Sequence, residues 1–282
     1  MAVIIDGKAL ASKIKAEVKE KAADFEKGHE RKVGLAVVKV GEDQASAVYV
    51  RNKIKACEEC GVRSIEYFLS GDTQESELLA LIDTLNEDTS VDGILVQLPL
   101  PKQINSKSVL SRISPDKDAD GFHAVNAGKL FLGDNPKFVA CTPRGIIELI
   151  KSTGVNISGK HAVVVGRSNV VGKPIASLLL GHDATVTVCH SKTANLADIT
   201  RQADILVAAI GSAKFIKVDM IKHGAVVIDV GMNRDENGKL CGDVDFDKAQ
   251  EVAGYITPVP GGVGPMTIAM LLSNTVDGAM HE

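Results

Sequence analysis

The 282-residue sequence predicts an α/β protein of two lobes, both with parallel sheets. Strand-like runs recur near positions 33, 63 and 93, a spacing of about 30 residues that suits βαβ units. A second alternating series begins at Lys160. Between the two lies a stretch with neither helical nor strand period, so the joint is expected near 120–145.

Each element has its own signal. Lys8 to about Lys27 places apolar residues at helical spacing against a charged face. VGLAVVKVG, Val33–Gly41, is rich in β-branched residues and ends at glycine, as a strand does. Ser46–Gly61 starts at a capping-type serine and stops at glycine, so it reads as a helix. VRSIEYFLS is strand-like. In TQESELLALIDTLNEDTS, Thr73, Glu75 and Ser76 stand at the start, then Leu78, Leu79, Leu81, Ile82 and Leu85 share one helical face. GILVQLPLP, Gly93–Pro101, is a buried strand that breaks at its prolines. Beyond the looser Lys102–Cys141, TPRGIIELIKSTG is a helix with Pro143 near its start and Gly154 at its end. The strands HAVVVG, TVTVCH, ADILVAAIG and AVVIDVG follow. The closing TPVPGGVGPMTIAMLLSNTVDGAM is a Pro/Gly loop feeding a helix, expected to dock back on the first lobe.

Composition narrows the partners. A net charge of −4 gives no electrostatic footprint for nucleic acid. No apolar run reaches the roughly 18 residues that span a bilayer, and the N-terminal stretch has no signal-peptide core, so an intracellular, cytoplasmic protein is expected. The five cysteines are scattered and odd in number, which argues against a disulfide framework. Cys57 and Cys60 form a lone C-x-x-C in a helical pattern. Without a second pair or a nearby His they read as buried thiols, and no metal site is expected. DKDADG, Asp116–Gly121, imitates the start of a calcium loop, but Ala127 stands where a bidentate Glu is required. A turn with one functional carboxylate fits better.

HAVVVGRSNVVGKP carries the strongest local chemistry. It follows a strand and opens a helix, where unsatisfied N–H groups and the positive dipole end meet an anion. Its spacing is G-x-S-x-x-x-G, Gly166, Ser168 and Gly172, and a plain tight turn also fits that spacing. The next strand distinguishes the ligand. An acid there would accept bonds from a ribose hydroxyl, but the strand ends in His190, Ser191 and Lys192. With Arg167 in the loop, the donors suit a 2′-phosphate, so NADP is expected rather than NAD.

In the first lobe Tyr49 and Lys53 are four apart and share a helical face, the bland alternative being a surface lysine beside a half-buried tyrosine. Gln97 interrupts a buried strand and must find partners, either structural or facing a ligand at the strand's carboxyl end.

The stretches ASAVYVRNKIKAC, DGILVQLPLP, DKDADGFHAVNAGKL, CTPRGI, VVVGRSNVVGKP, ATVTVCHSKT, GDVDF and YITPVPGGVGPMTIAML cover nearly the whole chain. Together they resemble the bifunctional methylenetetrahydrofolate dehydrogenase/methenyltetrahydrofolate cyclohydrolase family, the FolD type. Ala119, Ala124, Lys129 and Met232 depart from the expected residues without removing a polar group the chemistry needs. The resemblance implies an N-terminal α/β catalytic domain and a Rossmann-like NADP-binding domain, with an active-site cleft between them. The expected boundaries are 1–120 for the folate-binding domain, 121–145 for the connection and 146–264 for the NADP-binding domain, the helix at about 265–282 packing on the first.

The resemblance also implies roles. Lys53 is central to hydrolysis, Gln97 orients it, Tyr49 is on the folate side and Asp120 holds the pterin. Val96, Leu98, Pro260, Gly261, Gly262, Val263 and Gly264 line the folate site. Gly166, Arg167, Ser168, Gly172, Ser191 and Met232 hold NADP. Tetrahydrofolate one-carbon derivatives are the expected partners, in a homodimer. Two other readings stay open: an NADP-dependent dehydrogenase of another small substrate, such as a shikimate-type enzyme, and a non-catalytic dinucleotide sensor. The first leaves TPVPGGVGPMT unexplained; the second has no use for Tyr49, Lys53, Gln97 and Asp120 together.

Overall fold

The computed structural model describes residues 1–281, the side chains of Gln44 and Ala45 excepted. Glu282, the last residue of the expected C-terminal helix, lies outside the described residues. The elements run β1 (Val3–Ile4), α1 (Gly7–His29), β2 (Gly34–Val40), α2 (Gln44–Cys60), β3 (Arg63–Leu69), α3 (Glu75–Glu87), β4 (Gly93–Val96), α4 (Ser106–Arg112), α5 (Ala124–Leu132) and α6 (Cys141–Ser152). They continue with β5 (His161–Val165), α7 (Gly172–Gly181), β6 (Thr185–Cys189), α8 (Leu196–Thr200), β7 (Ile205–Ala208), β8 (Val226–Asp229), β9 (Asn233–Arg234), β10 (Leu240–Cys241), α9 (Phe246–Ala249), β11 (Tyr255–Ile256) and α10 (Val263–Met280). The chain divides into two compact units, Met1–Ala11 with Thr142–Thr267, and Ser12–Cys141 with Ile268–Glu282.

The unit built on Ser12–Cys141 has a parallel three-stranded sheet in the order β3-β2-β4. Six of the seven β2 residues are buried, as expected of a central parallel strand with both faces covered. Leu78, Ile82 and Leu85 turn one face of α3 onto Ala36, Val38, Ile94 and Val96 of that sheet, and Val109 of α4 closes the same core. Fully burying one such side chain stabilises by roughly 1.5–3 kcal/mol. At the start of α2 the cap is Asp43, whose carboxylate accepts the Ser46 N–H at 2.7 Å. The helix therefore starts before Ser46, because a carboxylate three residues upstream already satisfies the orphan donor. It stops at Gly61, in the left-handed region at φ 75°. On the C-terminal segment, Asn274 Nδ2 donates to the Ala119 and Val139 carbonyls.

The other unit carries a six-stranded parallel sheet, β1-β11-β8-β7-β5-β6. The order runs outward from β5 in both directions, so the connection reverses at the carboxyl ends of β5 and β7. Such a switch point opens a crevice where α/β sheets bind ligands. β9 and β10 pair as a separate antiparallel hairpin.

Candidate active site

Tyr49 and Lys53 project from α2. Lys53 is 8% exposed, and an ammonium at that depth needs an acceptor. Gln97, the first residue after β4, supplies one: Lys53 Nζ donates to Gln97 Oε1 at 3.1 Å. Gln97 Nε2 in turn donates to the Leu98 carbonyl at 2.6 Å, so the amide has its oxygen committed to Lys53. Strand pairing ends at Val96, which is buried, and the chain leaves the sheet at Gln97.

Asp120 stands on the turn that follows the Ile94–Asp118 bridge. Burial pushes its carboxyl above the ordinary range, and the positive charge of Lys53 pulls it back. Lys53, Gln97 and Asp120 are thus brought together. Tyr49 is 38% exposed, and burial raises its phenol, which keeps its proton at neutral pH. The DKDADG turn is built on Asp118. Its carboxylate accepts the Phe122 and His123 N–H groups at 3.0 and 2.8 Å and the Asn126 amide at 3.0 Å. Burial raises Asp118 to about 6. The sequence singled out this motif for its metal-like spacing, whereas Asp118 uses it to fold the turn on which Asp120 sits.

In the other unit, Gly166 ends β5 at φ 131°, a conformation that side chains avoid. An added Cβ there would run into the Ala209 carbonyl, so the loops after β5 and β7 touch at the switch point. A Cβ on Gly172 would strike the Gly166 carbonyl, so α7 starts hard against the turn. Ser168 replaces the missing second glycine in an unexpected way. Its Oγ accepts the N–H of both Val171 and Gly172 at 3.2 Å, capping α7 from inside the loop. The hydroxyl still has its proton to donate outward.

The Gly166 N–H donates to the Cys189 carbonyl at 2.9 Å, and Val165 is in register with Cys189. Arg167 and Ser191, both exposed, therefore stand at neighbouring strand ends. The Ser191 turn is shaped by Thr193, whose Oγ1 accepts the His190 N–H, and by His190 Nδ1, which accepts the Lys192 N–H at 3.1 Å. Thr193 was missed in the sequence, where a hydroxyl four residues past the strand end was its only signal. A tight turn at a helix N-terminus with guanidinium, hydroxyl and ammonium donors beside it fits a 2′-phosphorylated dinucleotide. Met232, half exposed, lies in the loop after β8. Pro260–Gly264 belong to this unit too, Pro260 exposed and Gly262 and Val263 buried, leading directly into α10.

Fold and site define a Rossmann-type dinucleotide-binding protein with a second α/β catalytic body. Family models agree with that division. The catalytic domain of tetrahydrofolate dehydrogenase/cyclohydrolase matches residues 5–120, and the NAD(P)-binding domain of the same family matches 140–282. The chain belongs to this family. It is 59% identical over 279 residues to the bifunctional protein FolD of Listeria innocua, covering 99% of this chain and 98% of that one. Among solved structures it is similar to the bifunctional FolD enzyme of Campylobacter jejuni, with a TM-score of 0.97, 51% identity and coverage of 100% and 99% of the two chains. It is also similar to the Trypanosoma brucei methylenetetrahydrofolate dehydrogenase-cyclohydrolase complexed with NADP and inhibitor, with a TM-score of 0.94, 43% identity and coverage of 99% and 98%.

Proposed function

We propose that this chain is a bifunctional enzyme of one-carbon folate metabolism. It oxidises 5,10-methylenetetrahydrofolate to the 5,10-methenyl cation and hydrolyses that cation to 10-formyltetrahydrofolate. Bound NADP supplies the two-electron acceptor for the first reaction. The observation that carries the reading is the buried Lys53–Gln97 contact beside Asp120.

Oxidation leaves a carbon bridging N5 and N10 with its positive charge shared between them. Water adds to that carbon and loses one proton; its second proton passes to N5 as the C–N5 bond breaks, leaving the formyl group on N10. Lys53 Nζ is the group that handles the water's proton, and Gln97 Oε1 fixes where that nitrogen points. The Asp120 carboxyl accepts from the pterin's amino and ring N–H groups, a paired geometry that sets the ring's orientation. Tyr49 shares the Lys53 face of α2 and borders the folate as a neutral phenol. Val96 and Leu98, on either side of Gln97, complete the folate contacts of this unit. On the dinucleotide side the α7 N-terminus with Gly166, Ser168 and Gly172 takes the pyrophosphate. Arg167 and Ser191 take the 2′-phosphate, and Met232 borders the cofactor.

The enzyme works as a cytoplasmic homodimer and binds no nucleic acid. Supporting this, no helix among the described residues is long and apolar enough to cross a membrane, net charge is −4, and β6 is a sheet edge with Val188 40% exposed. Purified protein given methylenetetrahydrofolate and NADP+ produces absorbance from NADPH and the methenyl species, and given the methenyl compound alone it hydrolyses it. An absence of turnover with both NADP+ and NAD+ refutes the oxidative half; an absence of hydrolysis above the spontaneous rate refutes the other.

A further inference from the structure

We infer that Asp243 is a positioning residue for the dinucleotide site, one carboxylate that sets the loops after both β7 and β8. The inference rests on reading the β5 turn as the NADP site. Asp243 is fully buried, in the GDVDF stretch that the reaction chemistry leaves unused. Its Oδ2 accepts the Ile210 and Gly211 N–H groups at 2.6 and 3.1 Å. Its Oδ1 accepts the Ser212 N–H at 2.8 Å and Asn233 Nδ2 at 2.9 Å. Three of these donors are consecutive in the loop after β7 and the fourth lies one residue past Met232.

A second buried carboxylate holds Asp243 in turn. Asp229, at the end of β8, accepts the backbone N–H groups of Gly231 and Asp243 on Oδ1, at 3.0 and 2.8 Å. Its Oδ2 accepts the Val244 N–H at 2.9 Å. Both carboxylates are surrounded by donors, which is how two acids can be buried side by side.

The loop set by Asp243 reaches the phosphate turn. Ala209, one residue before the Asp243 donors, has the carbonyl against which Gly166 closes, and its own N–H donates to Val165 at the end of β5. The carboxylate therefore fixes one wall of the switch-point crevice without being at its surface. Through Asn233 Nδ2 it also ties down the residue next to Met232, while Asp229 holds Gly231. A side chain that acts this way governs how well the dinucleotide is held, not the proton chemistry at Lys53.

The test uses Asp243→Asn and Asn233→Ala in the full chain. Asparagine has one acceptor oxygen in place of two. With the amide turned to keep Ile210 and Gly211, its Nδ2 meets the Ser212 N–H and the loop must shift. The dissociation constant of NADP+, read by calorimetry, and KM for NADP+ rise about tenfold in Asp243→Asn and about threefold in Asn233→Ala. Hydrolysis of methenyltetrahydrofolate without dinucleotide stays within about twofold of wild type, because Lys53 is untouched. A merely structural role lowers both activities by one factor through the folded fraction and leaves KM for NADP+ unchanged; that result overturns the inference. If Asp243→Asn does not fold, Asn233→Ala decides, and an unchanged NADP+ dissociation constant there overturns it equally. Failure of the wild type to bind NADP+ sinks the functional reading instead.

Discussion

Lys53 Nζ donates to Gln97 Oε1 at 3.1 Å, and Gln97 Nε2 is itself committed to the Leu98 carbonyl at 2.6 Å. The lysine nitrogen is therefore aimed by an amide that cannot turn over without losing a bond. Lysine has four rotatable bonds and, without that anchor, samples other rotamers that remove Nζ from the reacting carbon. Gln97→Met keeps the volume and removes the acceptor. It lowers the cyclohydrolase kcat by about 10²-fold, an orientation effect of a few kcal/mol. KM for the methenyl substrate changes little. Steady-state hydrolysis assays check this, and a wild-type kcat in Gln97→Met contradicts the aiming role.

Lys53→Met tests the proton-handling group itself. Methionine fills the same buried space without an amine. Hydrolysis falls to within about tenfold of the spontaneous rate, a loss in the range of a general acid–base group, about 10²–10⁴-fold. A folate analogue binds within a few-fold of wild type by calorimetry. Full hydrolysis by Lys53→Met removes Lys53 from the mechanism.

Arg167 and Ser191 stand just past neighbouring strand ends because Gly166 N–H bonds the Cys189 carbonyl. Both are solvent-exposed, so their substitution leaves the fold intact. The double variant Arg167→Ala/Ser191→Ala raises KM for NADP+ by about 10–100-fold, as expected for losing two charge-assisted bonds to phosphate. KM for NAD+, which has no 2′-phosphate, stays within a few-fold. Equal losses with both dinucleotides would place Arg167 elsewhere in the site.

Local features and the class of two α/β lobes with parallel sheets were legible in the sequence; strand order and long-range partners were not. The β5 turn could be read because strand, glycine and helix are contiguous, and Lys53 with Tyr49 because four residues make one helical face. The residues of α4 and α5 sat in a stretch read as loose. α5 has no Ser, Thr or Asp at its cap; the His123 ring accepts the Val125 N–H instead, a device no propensity scale marks. β1 and β11 are two residues each; β1 exists only because Val3 pairs with Tyr255, 252 positions away in sequence, and β11 lies between β1 and β8. Asp229 and Asp243 meet for the same reason. DKDADG announced a special turn, but that Asp118 rather than Asp116 or Asp120 folds it goes with the Ile94–Asp118 bridge, a tertiary contact.

That division of labour between Asp118 and Asp120 has a pH signature. Burial holds the native Asp118 at about 6, well above the ordinary aspartate range. Below about pH 4 the group is protonated in both folded and unfolded chains and contributes no pH dependence. As pH rises from about 4 to 6 the unfolded chain ionises first, so stability falls by about 1.4 kcal/mol per pH unit from this group. Above about 6 the native group ionises too and the loss is complete at roughly 3 kcal/mol. Asp118→Asn has no such titration. It loses acceptor capacity for Phe122, His123 and Asn126, but that penalty is the same at every pH. Subtracting wild type from Asp118→Asn in urea unfolding therefore gives a difference that climbs by roughly 3 kcal/mol between about pH 4 and 6.5 and is level above it. A difference that is flat across the whole range means that Asp118 is ionised in the fold well below pH 6, its three donors outweighing its burial.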